Sequence, residues 1–314
     1  MSRVVPGASN GCGYCGSALD HLLQTRDVNR NVTAERFELM RCRVCGLVSL
    51  RDPPSDLGRY YTTDYHLHPE TVSEIEAYVL AHQFKVDIIK QFKTSGALLE
   101  IGPSIGSFCV GAKRAGFDVS AVEMDGDCVT FLNTKVGVRA VQSMDPVSVL
   151  TQEERDYDAI CLWHSLEHIP QPWSVIEAAA ARLCPSGILV IACPNPEAWQ
   201  ARIMASAWPH WDSPRHLHAM SINWILQRGA ALGLSPLLVT TVDAGSRHYS
   251  RDGWSMLARN QVRGRLARQV FGKLGKAVGK LLGPWDDRKR QGSCYTIVLG
   301  KTALSSPATV AQLS

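Results

Sequence analysis

Four cysteines near the start of the chain form two closely spaced pairs that can hold one metal ion. The pairs are Cys12-Gly-Tyr-Cys15 and Cys42-Arg-Val-Cys45. Thiolates at this spacing can face the same ion, because the turn between them directs its backbone N–H groups at the sulfurs. Two such pairs complete a tetrahedral site with no open position, so the pattern predicts structural zinc. The alternative is four unrelated reduced cysteines.

A glycine-containing turn further along the chain has the features of a nucleotide-binding loop. It reads Glu100-Ile-Gly102-Pro-Ser-Ile-Gly106 and follows a short apolar run. Glu123 ends the next apolar run, where its carboxylate could accept hydrogen bonds from both hydroxyls of a ribose. The turn lacks the GxGxxG pattern, which disfavours a nicotinamide cofactor. Taken alone, Glu123 would be interpreted as a solvated carboxylate at a strand end.

The elements around these residues alternate between strand and helix patterns. Six strands are predicted, at residues 97–101, 118–123, 157–163, 187–193, 236–242 and 294–300. Helical spacing of apolar residues is found at 70–93, 108–115 and 173–183. This alternation predicts an α/β fold with a doubly wound, mostly parallel sheet, in which ligands bind at the carboxyl ends of the strands.

The same patterns divide the chain into six segments. They are a zinc-ribbon module (1–55), a linker and helical lead-in (56–95), a cofactor-binding core (96–245), a basic amphipathic insertion (246–292), a final core strand (293–303) and a disordered tail (304–314). Asp52-Pro-Pro-Ser55 ends the module. Tyr61 and Tyr65 follow this break, and they could form a substrate lip or pack between the module and the core.

Composition excludes several classes of protein. The chain has 314 residues, of which 45% are hydrophobic and 20% charged, as in ordinary globular proteins. No apolar run approaches 18 residues, and the first residues lack the apolar core of a signal peptide. We therefore expect a cytosolic chain that does not span a membrane, with the six remaining cysteines as small core residues.

Positive charge is concentrated in the insertion. Between Arg247 and Arg290 there are twelve Arg or Lys and three Asp, whereas the whole chain carries a net charge of +4. Apolar residues recur there every three to five positions, so residues 255–285 predict a basic amphipathic helix suited to an anionic membrane surface. The alternatives are a lid helix on the core, a partly disordered loop weakened by four glycines, or an RNA contact, which would lack aromatic residues for base stacking.

Together these segments resemble a class I S-adenosylmethionine (SAM)-dependent methyltransferase with an N-terminal zinc ribbon. Residues 157–170, which contain Leu-Glu-His, are similar to the family's fourth-strand signature, and residues 183–195 are similar to its fifth. Residues 213–218 resemble a segment of zinc-ribbon members. The resemblance covers roughly residues 10–245 and the last strand. It implies a Rossmann-like sheet of seven strands, with SAM as cofactor.

The resemblance also implies a set of cofactor contacts. They are Glu100, Gly102, Ser104, Gly106, Glu123, Met144, Asp145, His164 and Ser165. In this scheme Glu100 lies beside the methionine part of SAM, Glu123 binds the ribose, and Met144 and Asp145 lie near the adenine. Many relatives have glycine at the position of Ser104, and Pro103 is also unusual, so this loop is expected to be stiffer.

Histidines supply the predicted base, because a hydroxyl acceptor must lose a proton and imidazole titrates near neutral pH. His164 follows a predicted strand, and His216 lies after the fifth strand, where substrate-facing loops are expected. We predict that one of these two is the general base, whereas His168 is expected to pack at a helix start. Arg215 could bind a substrate phosphate or carboxylate with two parallel hydrogen bonds, or pair with Asp212.

Three functions remain open at this stage. The favoured one is methyl transfer to a hydroxyl of a saccharide, a lipid-linked sugar or a small metabolite, by a protein that touches the inner membrane surface. The second is an RNA methyltransferase that grips RNA with the ribbon, although residues 1–60 carry only eight Arg or Lys against six Asp or Glu. The third is a binding protein that keeps the SAM fold without catalysis. Sugar C-methyltransferases with a zinc ribbon are a close variant of the first, but their expected tyrosine-histidine signature is not found.

Overall fold

Two β-sheets organise the chain, one in the N-terminal module and one in the core. The structure is a computed structural model that describes residues 11–61 and 69–301. The module contributes strands β1 (Leu19–Arg26), β2 (Arg36–Cys42) and β3 (Val48–Leu50). Each is antiparallel to its neighbour, and the two cysteine pairs lie in turns beside this sheet. The predicted tail at 304–314 lies outside the described residues.

The core begins with a pair of short helices and continues as the predicted alternation. Its elements are α1 (Glu76–Ala81), α2 (Gln83–Lys90), β4 (Gly96–Ile101), α3 (Ser107–Arg114), β5 (Phe117–Glu123), α4 (Gly126–Phe131), β6 (Arg139–Gln142), α5 (Pro146–Gln152), β7 (Tyr157–Trp163), α6 (Pro172–Ala181), β8 (Leu183–Pro194), α7 (Trp199–Met204), β9 (His218–Ala219), α8 (Ile222–Ala231), β10 (Leu234–Thr240), α9 (Ala244–Arg259), α10 (Arg265–Asp286) and β11 (Cys294–Lys301).

The core sheet has seven strands in the order β6-β5-β4-β7-β8-β11-β10. The first five strands of this order are parallel, and β11 is antiparallel to both of its neighbours. Central strands such as β7 are almost entirely buried and mainly apolar, because helices cover both faces of the sheet. The predicted doubly wound fold is confirmed. The sequence pattern did not predict β6, which is short and largely exposed.

The core segment of the chain contributes one strand to the sheet of the module. β9 pairs with β3 as the fourth strand of the module sheet, although it lies more than 160 residues later in the chain. Tyr14, in the first cysteine turn, packs against the rings of Trp173 and Trp224 in the core, with ring centroids 5.7 and 5.3 Å away. The module therefore has a fixed position beside the carboxyl ends of the core strands.

A buried ion network reinforces this junction. Arg215 and Asp27 both have side chains with 0% exposure, and their closest N···O distance is 2.5 Å. Asp212 accepts from the Nε and Nη2 of Arg215 at 3.1 and 2.7 Å. The Nη1 atom donates to Asp27 and to the carbonyl of Tyr60. All five N–H groups of the guanidinium are thus used, which satisfies a charge that would otherwise be costly to bury.

The insertion folds as two packed helices, α9 and α10. Gly272, Gly275 and Gly279 face α9, and a Cβ at Gly275 would lie 2.5 Å from the carbonyl oxygen of Trp254. The glycines, which were expected to weaken the helix, therefore allow its close approach to α9. No helix in the described part of the chain is both long and apolar enough to cross a membrane.

Removing the guanidinium should destabilise the protein strongly. We expect Arg215→Met to lower the free energy of unfolding by about 3–5 kcal/mol, because two buried carboxylates lose their partner. The measurement is urea denaturation followed by circular dichroism. Arg43→Met, which breaks an exposed ion pair with Asp20, is the matched control and should leave the midpoint unchanged. Equal midpoints for the two variants would contradict a stabilising role for the network.

Candidate active site

A large cleft lies at the carboxyl ends of the core strands and is closed on one side by the module. Its volume is about 1340 Å³. The turns after β4, β5 and β7 form the core wall, and module residues that include Met40, Leu50 and Pro53 line the opposite wall. This is the position where an open α/β sheet binds ligands, because the chain crosses over in opposite directions from neighbouring strands.

The turn after β4 requires its two glycines. Gly102 and Gly106 have φ angles of 76° and 69°. A Cβ at Gly102 would lie 2.6 Å from the Cβ of Ser165, and one at Gly106 would lie 2.3 Å from Leu132. Ser104 also has a positive φ, 53°, which is strained for a residue with a side chain. The turn therefore presents backbone to the cleft at close range.

Glu123 holds this strained turn in place. Its Oε2 accepts from the backbone N–H of Ser104 at 2.8 Å. Its Oε1 accepts from the N–H groups of Met124 and Asp125 at 2.7 and 3.0 Å. A carboxylate has about four acceptor positions, so roughly one remains for a ribose hydroxyl. The contacts of Glu123 with both ribose hydroxyls stay a prediction, and the structure adds that this carboxylate organises the two turns beside it.

Glu100 is buried at the base of the same turn. Burial raises its pKa to about 7, against the opposing effect of Lys85, and the thiol of Cys109 donates to it at 3.0 Å. Lys85 is itself buried, which lowers its pKa, and it lines the cleft together with His82. The sequence pattern did not predict a site role for Lys85, which lies in α2, or for His82, which lies between α1 and α2. Their spacing with the buried residues Val86 and Ile89 would have placed them on the inner helix face.

His164 and Glu167 form a close acid–base pair where β7 ends. The His164 Nδ1 atom lies 3.6 Å from Glu167 Oε1, which is buried and has no hydrogen-bond partner. Burial alone would raise the pKa of Glu167, but His164, His216 and His168 together lower it to about 2. His164 has a φ of 56° and its ring lies 4.4 Å from that of Tyr249 in α9. A strained histidine beside an ionised carboxylate is suited to proton transfer.

His168 adds a second imidazole to the wall of the cleft. Burial, followed by the effect of His216, lowers its pKa to about 4, so it is neutral at pH 7. Its Nδ1 lies 3.1 Å from the hydroxyl of Tyr61 and 3.1 Å from the carbonyl oxygen of Arg215. His168 therefore belongs to the cleft, beyond the packing role expected from sequence.

His216 lies behind the cleft wall. Its Nδ1 is 3.0 Å from the carbonyl oxygen of His210, and its Nε2 is 4.0 Å from Glu167 Oε1 and 3.7 Å from Asp212 Oδ2. Of the two predicted bases, His164 lines the cleft and His216 contacts the carboxylate behind it. The sequence pattern did not predict a role for Glu167, although this residue lies in the Leu-Glu-His segment and only three positions after His164. Its contact with His216 comes from a distant segment of the chain.

Some of the other predicted site residues line the cleft, and others do not. Met144 and Ser165 line the cleft, and the Ser165 hydroxyl donates to the carbonyl of Ile101 at 2.7 Å. Asp145 accepts from the N–H of Ser148 as the N-cap of α5. Arg215 differs from the expectation of a substrate contact, because its donors are committed to the buried network. Tyr65 lies outside the described residues.

The four cysteines of the module converge as predicted. The Sγ atoms of Cys12 and Cys45 are 3.7 Å apart, and those of Cys15 and Cys42 are 3.4 Å apart. All four lie within 4.8 Å of one another. These separations are compatible with four sulfurs at about 2.3 Å from a shared zinc ion. Gly16, with a φ of 71°, supplies the turn after the first pair.

Comparison with known proteins decides the class of the core. Residues 73–238, just over half of the chain, match the family model described as a methyltransferase domain. The chain belongs to this methyltransferase family. It is a class I SAM-dependent methyltransferase, as the sequence resemblance predicted. The glycine turn without Cβ atoms, together with Glu123 and Glu100, fits SAM as the cofactor.

The individual proteins that the chain resembles have low sequence identity to it. The ubiquinone biosynthesis O-methyltransferase of Hydrogenovibrio crunogenus is 28% identical over 112 residues, which cover 33% of this chain and 45% of that protein. The chain thus matches less than half the length of this curated relative. A SAM-dependent methyltransferase from Archaeoglobus fulgidus has a TM-score of 0.49 and 16% identity, covering 72% of this chain and 99% of that one. Phosphoethanolamine N-methyltransferase 2 from Haemonchus contortus has a TM-score of 0.49 and 12% identity, covering 91% and 68%.

Zinc content tests the metal site. We expect the purified methyltransferase to hold a single zinc ion, because four thiolates saturate tetrahedral coordination. Plasma mass spectrometry should show most of this zinc lost in Cys15→Ser. Cys184→Ser, which changes a cysteine outside the cluster, should keep it. Full zinc in Cys15→Ser would show that the cluster does not bind the ion.

The pKa of Glu100 predicts how cofactor affinity depends on pH. Its ionised form becomes dominant as pH rises through about 7, and we expect this form to favour the cationic methionine part of SAM. From pH 6 to pH 8 we therefore expect SAM affinity, measured by titration calorimetry, to rise by up to about tenfold. In Glu100→Gln the rise should be absent. A similar rise in that variant would assign the pH dependence to another group.

Proposed function

We propose that this methyltransferase modifies a hydroxyl group of a saccharide, a lipid-linked sugar or a related small metabolite. The observation that carries this proposal is the His164–Glu167 pair beside the cofactor turn. A hydroxyl must lose its proton during methyl transfer, and an imidazole held by an ionised carboxylate can take it. A nitrogen that is already unprotonated has a free lone pair, so its methylation would not need this pair.

The size of the cleft supports two ligands bound together. At about 1340 Å³ it exceeds the roughly 300–1,000 Å³ of a typical small-molecule site. The core wall faces the cofactor turn, and the module wall supplies polar and apolar surface for an acceptor. The charged residues of the module wall include two cations, Arg30 and Arg51, and two anions, Asp52 and Asp56. This balanced wall favours a sugar or other weakly charged acceptor over RNA, which requires an excess of cations.

Each residue of the cleft then has a distinct task. Bound SAM supplies an electrophilic methyl group on a sulfonium sulfur. His164 accepts the proton of the acceptor hydroxyl, and Glu167 stabilises the imidazolium because its low pKa keeps it ionised. Neutral His168 and Tyr61 orient the acceptor by hydrogen bonds. Holding the hydroxyl in line with the methyl group can lower the barrier by roughly 7–11 kcal/mol.

Methyl transfer from labelled SAM into fractionated host extract tests this proposal. We expect label in the sugar or lipid-linked fraction, and none with Glu123→Ala, whose cofactor turn is released. His164→Asn should reduce turnover about 10²- to 10⁴-fold, because it removes the base but suits the positive φ.

Two outcomes would contradict the proposal. Label that depends on Glu123 but enters RNA would favour the RNA methyltransferase. The absence of any such label in all fractions, with SAM binding intact, would favour the non-catalytic alternative. Circular dichroism should confirm that both variants remain folded, and Glu197→Ala, an exposed carboxylate outside the cleft, is the control that should keep full activity.

A further inference from the structure

One face of α10 exposes a row of large apolar side chains. The members are Leu266, Val270, Phe271, Leu274, Val278, Leu281 and Trp285. Leu266 and Leu281 are 78% and 75% exposed, and Leu274 is 55% exposed. The residues recur every one to four positions along a continuous helix, so they form one stripe about 29 Å long at 1.5 Å per residue. We call these seven residues the apolar stripe.

The packing of α10 fixes the stripe outward. The glycines on the opposite side bury against α9, where a Cβ at Gly279 would lie 3.1 Å from Trp254. At the end of α10 the buried carboxylate of Asp286 accepts from Trp199 and Gln200 of α7. The helix is thus held at its glycine face and its last turn. Rotation of the stripe into the core would break these contacts.

The charges beside the stripe indicate what covers it. The sequence from Arg265 to Trp285 contains five Arg or Lys and no Asp or Glu. Lys273, Lys276 and Lys280 fall on one flank of the stripe at helical spacing. None of the ion pairs found among the described residues involves these three lysines, and the ion pair of this hairpin joins Arg247 to Asp287. A second copy of this chain docked through the same face would bring cations against cations, whereas anionic lipid headgroups complement them.

We propose that the apolar stripe docks α10 in the plane of an anionic phospholipid membrane. The apolar side chains enter the interface between headgroups and acyl chains, and the lysines beside them contact the lipid phosphates. The length of the stripe suits a helix lying on the surface. The lysine stems are long enough to extend from the apolar layer to the headgroups.

Docking has a consequence for the active site. Tyr249 of α9 lines the cleft and contacts the ring of His164, and α9 is the helix on which α10 packs. The membrane-bound hairpin would therefore hold the cleft close to the bilayer. This step rests on the proposed function, because it assigns the acceptor to the lipid-linked members of the proposed class. Membrane binding itself does not depend on the acceptor.

Vesicle sedimentation of the full-length, zinc-loaded protein tests the docking. We expect binding to vesicles of phosphatidylglycerol and phosphatidylcholine, and at least about tenfold weaker binding to phosphatidylcholine alone or in 0.5 M salt. The double variant Leu274→Glu and Leu281→Glu should lose at least about tenfold in affinity. Leu80→Glu, which changes a leucine of 68% exposure on α1, is the matched control and should bind like the unchanged protein.

Several results would overturn the proposal. They are no binding by the unchanged protein, equal binding by the double variant, or a stripe-dependent dimer in size-exclusion chromatography without vesicles. Thermal unfolding followed by circular dichroism verifies that the double variant is folded, as expected for changes at exposed positions. The assay contains neither SAM nor acceptor, so its failure is distinguishable from failure of the proposed methyl transfer. If the protein binds vesicles but transfers label only to soluble sugars, docking is supported and the lipid-linked acceptor is contradicted.

Discussion

The guanidinium of Arg215 joins three separate parts of the chain within one buried network. It pairs with Asp27 in the module and Asp212 in the core, and it donates to the carbonyl of Tyr60. Its own carbonyl oxygen lies 3.1 Å from the ring of His168. The network therefore fixes the module wall of the cleft and one of the imidazoles in the core wall. A charge buried this completely tolerates little displacement, because each lost contact leaves an uncompensated ion.

The cleft combines this rigid frame with local strain. Ser104 and His164 both occupy the left-handed region of φ, which costs residues with side chains of order 1–3 kcal/mol. Each is secured by a hydrogen bond to a neighbouring strand end, Ser104 to Glu123 and His164 to Ala192. Strain at these two turns brings the cofactor loop and the histidine to the same edge of the sheet. The fold thus positions the cofactor loop and His164, while Glu167 supplies the negative charge beside the imidazole.

The α9–α10 hairpin follows a different packing rule. The face of α10 that packs on α9 presents glycines, so the two helices approach closely, and the outer face of α10 keeps the large apolar residues. In an ordinary surface helix the apolar residues face the core and the small or polar ones face water. In α10 the arrangement is the opposite, because its large apolar residues face outward. They can therefore be buried only against a surface outside the chain.

The sequence by itself determined the features that depend on neighbouring residues. Local patterns predicted the two cysteine pairs, the glycine turn with Glu100 and Glu123, and the alternation of strands and helices. None of these predictions required the fold. The pairing of Arg215 with Asp212 was one of two alternatives that the sequence left open, and its second partner, Asp27, was not predicted. Asp27 and Arg215 are 188 residues apart, and no periodicity connects them. Only the tertiary structure decided that Arg215 is a buried junction instead of a substrate ligand, because burial and charge pairing depend on which distant segments pack together.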